Sequence, residues 1–352
     1  MEIHLTKPDV AILAHLADRS GMIFSPAAAK EKGAKFFENP VCSGPFKFVE
    51  RVYQDRIVFE KFQDYWNADA IHFDKISYLS ITDPSVRLQN LASGDLDMIS
   101  GLAATDVEYV EQNPDMYVVE TVGLGYQGIT INVGNGDSSN HPLGQNKTLR
   151  QAFDLAIDRD IINKVVFDGR YQVGNQPYPP SNIWYDEKHP VQGANVDKAR
   201  ELVTAAGYDR VPVNLLVSNT PRNLQLVQVI QSMVKPAGFD VAIQSMEFAS
   251  VISSWRAGNF ELIQIGWSGR IDPDGNLHGF VVCDSVLNYS GYCNQEVDAA
   301  LNGARQTGDF AQRKTLYDTA RSILIDESPL IYFYHQSYIW GQQQAGGIYK
   351  LS

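Results

Sequence analysis

The sequence lacks several features on which large classes of proteins depend. Only three of its 352 residues are cysteines, which excludes a disulfide-rich scaffold. No apolar run approaches the roughly 18 residues that a membrane-spanning helix needs. Basic residues are outnumbered, with 29 Lys and Arg against 41 Asp and Glu, and the net charge of −12 disfavours nucleic acid and anionic lipid as partners. Residues 1–7 (MEIHLTK) do not resemble a signal peptide.

The chain also lacks the spacings that mark common catalytic and metal sites. Its seven histidines are scattered, and it has no Cys-x-x-Cys pair. In residues 266–269 (GWSG) the last glycine comes one position too early for a nucleophile elbow. The sequence therefore predicts a protein that is not an enzyme and has no cofactor or metal. The alternative is a hydrolase that uses paired carboxylates, either Asp95 with Asp97 or Asp272 with Asp274.

Two of the cysteines, Cys283 and Cys293, flank a polar, loop-like stretch. A disulfide between them requires an oxidising compartment, whereas two reduced thiols are typical of the cytosol. Their spacing does not choose between these alternatives. Cys42 has no obvious partner in the sequence and is predicted to be a small buried residue.

Strands and helices alternate in the second half of the chain. Residues 211–217, 239–243 and 260–267 have strand composition, and segments with helical spacing of apolar residues lie between them. Such alternation is typical of an α/β fold with a mostly parallel, buried sheet.

The most informative segment is residues 266–273, which begin at the end of the most apolar of these strands. In open α/β sheets, ligands bind beyond the carboxyl ends of the strands. Gly266 and Ser268 are small, Trp267 offers a flat apolar wall, and Arg270 offers a planar donor fork for an anion. The alternative is that Trp267 packs in the core while Arg270 and Asp272 pair at the surface, and the local sequence leaves both open.

A series of short landmarks, in a fixed order, resembles one family of proteins. This is the family of extracytoplasmic solute-binding proteins, family 5, which serve ABC importers of peptides, nickel complexes, opines and some oligosaccharides. The order and spacing of the landmarks make the match specific. They are SGPFKF (43–48), DYW (64–66), RLQNLASGDLD (87–97), LRQA (149–152), AIDR (156–159), KARELV (198–203), AGY (206–208), GW (266–267), DP (272–273), GYCN (291–294) and residues 313–317.

The resemblance implies a two-lobed α/β clamp, the type II fold of periplasmic binding proteins in the large cluster with an extra subdomain. It assigns residues 33–133 and 333–352 to a discontinuous first lobe and 134–332 to the second lobe. Residues 1–32 would be a remnant of the N-terminal lobe, and the crossings near Val133 and Phe333 a hinge. Family members normally carry a long segment before the position that matches Glu2, so we expect an N-terminally truncated fragment.

The resemblance also implies a function. A monomer captures a peptide or peptide-like solute in the interlobe cleft and delivers it to the membrane permease of an ABC transporter. The resemblance places this function in the periplasm or at the cell surface. Export to such an oxidising compartment would favour the disulfide between Cys283 and Cys293. A ligand sensor on the same fold is an alternative.

Several positions carry over to the ligand site by resemblance. Peptide-binding relatives often have an acidic residue three places after the tryptophan of the Gly-Trp landmark, where it pairs with the ligand's amino group. That position is Arg270 here, which predicts an anionic solute such as an opine-like or γ-linked peptide-like compound. Phe248 matches an aromatic position of the cleft. Asn219 and Arg222 lie at a strand-to-helix turn facing the same edge, and Tyr126 lies near the first crossing.

Overall fold

The computed structural model describes residues 2–344, whose strands form three sheets. The strands are β1 Phe46–Val52, β2 Arg56–Lys61, β3 Lys75–Leu79, β4 Met98–Ser100, β5 Met116–Val122, β6 Tyr126–Ile131, β7 Gln172–Val173, β8 Val211–Ser218, β9 Phe239–Met246, β10 Leu262–Trp267, β11 Leu330–His335 and β12 Ser337–Gln343. The helices are α1 Ile12–Leu16, α2 Pro26–Lys32, α3 Pro84–Ser93, α4 Val107–Glu111, α5 Pro142–Gln145, α6 Lys147–Leu155, α7 Arg159–Phe167, α8 Val196–Ala205, α9 Pro221–Val234, α10 Phe248–Arg256, α11 Asp274–Val281, α12 Gln295–Arg305 and α13 Phe310–Glu327.

The chain divides into two compact units, each of which is discontinuous in sequence. Among the described residues, the larger unit takes residues 2–14 together with Glu120–Ile339, and the smaller unit takes His15–Val119 together with residues 340–344. The boundaries between the units, after Val119 and after Ile339, differ from the predicted crossings at 133/134 and 332/333. They differ because β6 and β11 both belong to the sheet of the larger unit. The assignment of a hinge stays a prediction.

The six-stranded sheet of the larger unit has the order β7-β11-β6-β10-β8-β9. β8 runs parallel to both β9 and β10, as expected for strands that are joined by α9 and α10. β6 is antiparallel to both β10 and β11. The three strands of the predicted alternation are thus parallel to one another, whereas the pairs that involve β6 and β7 are antiparallel, so the sheet as a whole is mixed and not mostly parallel in its pairing.

Several helices begin at side chains that satisfy free backbone N–H groups. Asp83 accepts hydrogen bonds from two N–H groups in the first turn of α3. Asn195 caps α8 and Asp309 caps α13. At the start of α7, Asp158 Oδ1 accepts from the N–H of Ile161 at 2.9 Å.

The cysteines occupy two different environments. Cys283 and Cys293 form a disulfide with a Cα–Cα distance of 4.6 Å. Cys42 is exposed, so the prediction of a buried residue is wrong. Its backbone takes part in an isolated antiparallel bridge with Phe24, outside the three sheets. Within residues 2–344, no helix is long and apolar enough to cross a bilayer.

Candidate ligand-binding site

A cavity of about 460 Å³ lies in the larger unit at one edge of the six-stranded sheet. Its lining includes residues at the ends of β8, β10 and β11 and at the start of β6, which reach the same edge because β6 is antiparallel to its neighbours. This is the edge at which the sequence placed the site. Seven of the residues that line it are aromatic: Tyr171, Phe248, Trp255, Trp267, Phe280, Tyr289 and Tyr334.

The polar part of the lining consists of amides, a few hydroxyl groups and two cations. The cations are Arg222 and Arg256, and none of the lining residues is an aspartate or a glutamate. Burial raises the pKa of Tyr171 and of Tyr334, so both phenols are neutral at pH 7. The amide and hydroxyl side chains of the lining, apart from the tyrosines, are Gln127, Ser218, Asn223, Gln264, Ser268 and Gln336.

Trp267 is held in place on the wall of the cavity. Its Nε1 donates a hydrogen bond to the carbonyl of Gly275 at 2.9 Å, and its ring packs edge-on against Phe280 with a centroid distance of 5.0 Å. It also packs against the buried apolar cluster of α11, α12 and α13. Trp267 thus packs against the core and also lines the cavity, while its contact with a ligand stays a prediction.

Arg270 lies over Trp267 and is not among the residues that line the cavity. Its Cζ is 4.3 Å from the centroid of the Trp267 ring, within the range of a cation–π contact. Its Nη1 donates to the carbonyl of Gly269 at 2.6 Å and to the Oγ of Ser268 at 3.3 Å. The guanidinium is therefore held beside the site by contacts within its own loop.

Two ion pairs anchor the loop that carries these residues. Asp272 binds Arg313 of α13 through both carboxylate oxygens, at 2.6 and 2.8 Å. Asp274 binds Arg305 of α12 in the same bidentate way, at 2.7 and 2.8 Å. Asp272 thus serves to anchor the loop and does not line the cavity.

The other predicted residues divide into those that line the cavity and those that do not. Arg222, Phe248, Gly266 and Ser268 line it together with Trp267. Asn219 is exposed outside it, with its backbone N–H donating to the carbonyl of Met246 at 2.9 Å.

Tyr126 belongs to the core of the larger unit. Only 6% of it is exposed, and its ring packs edge-on against Tyr332 with a centroid distance of 4.8 Å. Burial raises its pKa well above the ordinary value. Tyr126 does border a smaller depression of about 150 Å³ at the same edge of the sheet, together with Gln127 and Trp267.

Sequence reasoning missed the part of the lining that comes from the C-terminal end of α10 and from β11. Trp255 and Arg256 end α10, and Tyr334 and Gln336 lie at the end of β11. Trp255 has the helical spacing of a core residue, and this is the only signal that its position gives. Gln336 has no signal in the sequence, because the place of β11 in the sheet depends on pairing with a strand that is distant along the chain.

The aspartates that suggested a hydrolase as the alternative have other contacts in the structure. Asp272 and Asp274 are held by arginines, as described above. Asp95 and Asp97 are exposed on the smaller unit, where Asp95 accepts a hydrogen bond from Ser93 at 2.7 Å. Among the described residues there is no group of three or more His, Cys, Asp or Glu side chains that could hold a metal ion.

Residues 1–287 match the model of the bacterial extracellular solute-binding proteins, family 5 Middle. The chain belongs to this family. The match confirms the family that the sequence landmarks predicted, whose members bind solutes and are not enzymes.

Relatives and a solved structure agree with this assignment. The chain is 27% identical to the di/tripeptide-binding protein 1 of Pseudomonas aeruginosa over 95% of its length and 64% of that protein. It is 28% identical to the glutathione-binding protein GsiB of Pectobacterium atrosepticum over 94% of its length and 66% of that protein. The chain thus spans about two thirds of the length of these curated relatives.

The solved structure is the periplasmic binding protein DppA from Helicobacter pylori in complex with the peptide STSA. It is 26% identical to the chain, with a TM-score of 0.86, and the match covers 98% of this chain and 68% of the other. The mixed α/β fold of a periplasmic binding protein, predicted from the sequence, is confirmed.

Proposed function

We propose that the protein is the solute-binding component of an ABC importer and that its solute is a peptide or peptide-like compound carrying a carboxylate. The cavity in the larger unit is the observation that carries this proposal. Its volume, about 460 Å³, lies within the range of small-molecule sites. Aromatic walls with a few placed polar groups are also typical of such sites.

The polar lining suits the backbone of a peptide. The side-chain amides of Gln127, Gln264 and Gln336 each offer both a donor and an acceptor, as peptide groups require. The relatives named for di- and tripeptides and for glutathione support a solute of this chemistry. Aromatic rings on the wall would replace the hydration of its apolar side chains.

The charges in and beside the cavity favour an anion. Arg222 and Arg256 line it, Arg270 lies next to it over Trp267, and its lining contains no carboxylate. A free ammonium group would have no counter-charge in this lining, whereas a carboxylate would have the guanidinium groups of Arg222 and Arg256. The solute would therefore be bound by its acidic end, as an opine-like or γ-linked peptide-like compound allows.

The proposed place of action is the periplasm or the cell surface, where a monomer would deliver the solute to a membrane permease. Membership of an extracellular solute-binding family supports this location. The disulfide between Cys283 and Cys293 supports it as well, because such bonds persist in oxidising compartments.

Native mass spectrometry of gently purified protein, followed by calorimetric titration, tests the proposal. The titration compares glutathione, a neutral dipeptide and a free sugar, and we expect a bound small molecule with an acidic group and tightest binding of glutathione. The charge-reversed variant Arg270→Asp is expected to shift preference towards the neutral dipeptide with its free ammonium group. Failure of all peptides to bind, or turnover of any of them, would overturn the proposal.

A further inference from the structure

The end of α10 contributes two neighbouring side chains to the cavity, Trp255 and Arg256. We infer that they form a second acid-binding subsite, so that the solute carries two acidic groups and one of them binds here. This inference rests on the proposed function and narrows the solute class to dianionic peptide-like compounds. The acidic group would accept one hydrogen bond from Trp255 Nε1 and others from the guanidinium of Arg256.

The indole N–H of Trp255 lacks a hydrogen-bond acceptor among the described residues. Its Nε1 is buried and has no hydrogen-bond partner within the part of the chain that the structure describes. Buried N–H groups in proteins are almost always paired, because an unpaired one loses its hydrogen bond to water without replacement. Since Trp255 lines the cavity, the missing acceptor is expected to come from a molecule that occupies the cavity.

The surroundings of Trp255 hold its ring in one place. The ring packs edge-on against Tyr289 with a centroid distance of 4.8 Å. The carbonyl of Tyr289 accepts a hydrogen bond from Asn135 Nδ2 at 2.9 Å, and the buried Asn132 donates to the carbonyls of Gly258 and Phe260 just after α10. With both sides of the contact fixed in this way, a rotation that would supply another acceptor to the indole is opposed by packing.

Arg256 supplies the charge. It is exposed, and it forms no ion pair with any carboxylate among residues 2–344. Arg305 and Arg313 of the same unit, by contrast, each bind an aspartate through two hydrogen bonds. Arg256 does lie in the last turn of α10, where a cation interacts favourably with the helix dipole. The dipole explains a cation at this turn, but it does not explain a guanidinium on the wall of the cavity that Trp255 also lines.

A carboxylate satisfies both groups at once, because it accepts hydrogen bonds at two oxygens and carries the opposite charge to Arg256. A neutral amide oxygen would satisfy the indole alone. A carboxylate and a neutral amide can therefore be distinguished by comparing the affinities of two ligands that have the same shape and differ by one charge.

The dipeptides Ala-Glu and Ala-Gln make this comparison, since they differ only in a carboxylate and an amide at the end of one side chain. In calorimetric titrations of the full chain, we expect Ala-Glu to bind about tenfold more tightly. In Arg256→Gln the ratio should fall towards one, and in Trp255→Phe it should fall in part, because the ring remains and the N–H is lost. Raising the salt concentration should reduce the ratio in the wild type.

Arg210→Gln is the matched control. Arg210 immediately precedes β8, at the end of that strand opposite to the cavity, and its ion pair with Asp240 is exposed. This variant loses the same charge from the same unit and should keep the wild-type ratio. Equal affinities of the wild type for the two dipeptides, or an unchanged ratio in Arg256→Gln, would overturn the inference and leave the proposed function standing. Absence of binding by every peptide tested would overturn both.

Discussion

Trp267 and Trp255 line the same cavity and differ in how their polar atoms are satisfied. The indole N–H of Trp267 donates to Gly275, and the loop around it is fixed by ion pairs to α12 and α13. The indole N–H of Trp255 is buried but has no acceptor in the described chain. The fold thus supplies the hydrogen-bond acceptor of Trp267, whereas the acceptor of Trp255 is inferred to come from a solute. The contrast separates the part of the site that stabilises the protein from the part that selects the ligand.

Breaking the anchor of Trp267 is expected to have the largest effect. Asp272→Asn leaves Arg313, of which only 9% of the side chain is exposed, without a full counter-charge. Removing one partner of a buried ion pair should lower the free energy of unfolding by about 3 kcal/mol or more. The measurement is urea denaturation of the apo protein.

Asp240→Asn provides the control for this variant. It breaks an exposed ion pair with Arg210 in the same unit and should lower the free energy of unfolding by less than about 1 kcal/mol. Equal losses in the two variants would mean that Asp272 contributes no more than a surface charge, and the loop would have to be held by other contacts.

A change of pH should produce the next largest effect, through His335 at the end of β11. His335 is fully buried, and burial lowers its pKa to about 4, even though a hydrogen bond with the carbonyl of Gly125 raises it. The unfolded chain, with an ordinary histidine pKa of about 6.5, therefore binds more protons than the folded chain between these values. Stability should fall as the pH drops from about 6.5 to 4, by up to about 3 kcal/mol.

Denaturation at a series of pH values checks this expectation. In His335→Asn most of the loss between pH 6.5 and 4 should disappear, with a smaller remainder from His141 and His278, whose pKa values burial also lowers. His4, which is exposed, is the control: His4→Asn should keep the wild-type profile. A profile that is unchanged in His335→Asn would assign the acid sensitivity to other groups.

The sequence predicted the parts of the site that follow directly from a strand end. Residues 266–268 lie at the end of β10, and Phe248 and Arg222 follow β9 and β8. The rule that ligands bind at the carboxyl ends of strands pointed to this edge, and the family resemblance added Phe248, but Asn219, which the same reasoning selected, does not line the cavity. The contributions of β6 and β11 were not predictable in this way. They depend on antiparallel pairing between strands that are far apart along the chain, for which local composition carries no signal.

Charge was harder to predict than position. A guanidinium at position 270 predicted an anion site, but stacking on Trp267 and hydrogen bonds within the loop place it beside the cavity. Asp272 was predicted to bind ligand because of its carboxylate. That carboxylate instead pairs with Arg313, on a helix that is distant in sequence. Whether a charged side chain is used by the fold or remains available depends on such tertiary partners, which the local sequence does not reveal.

The smallest expected effect is also the most direct test of the contrast between the two tryptophans. Replacing either by phenylalanine removes the indole N–H and keeps an aromatic ring. Trp267→Phe should lower the free energy of unfolding of the apo protein by about 1 kcal/mol more than Trp255→Phe does, because only Trp267 loses an existing hydrogen bond. Ligand binding should show the opposite order, with Trp255→Phe losing more affinity for an acidic solute. If both variants lose the same stability, the apo protein already supplies an acceptor to Trp255, such as a fixed water molecule, and the selecting role would rest on Arg256 alone.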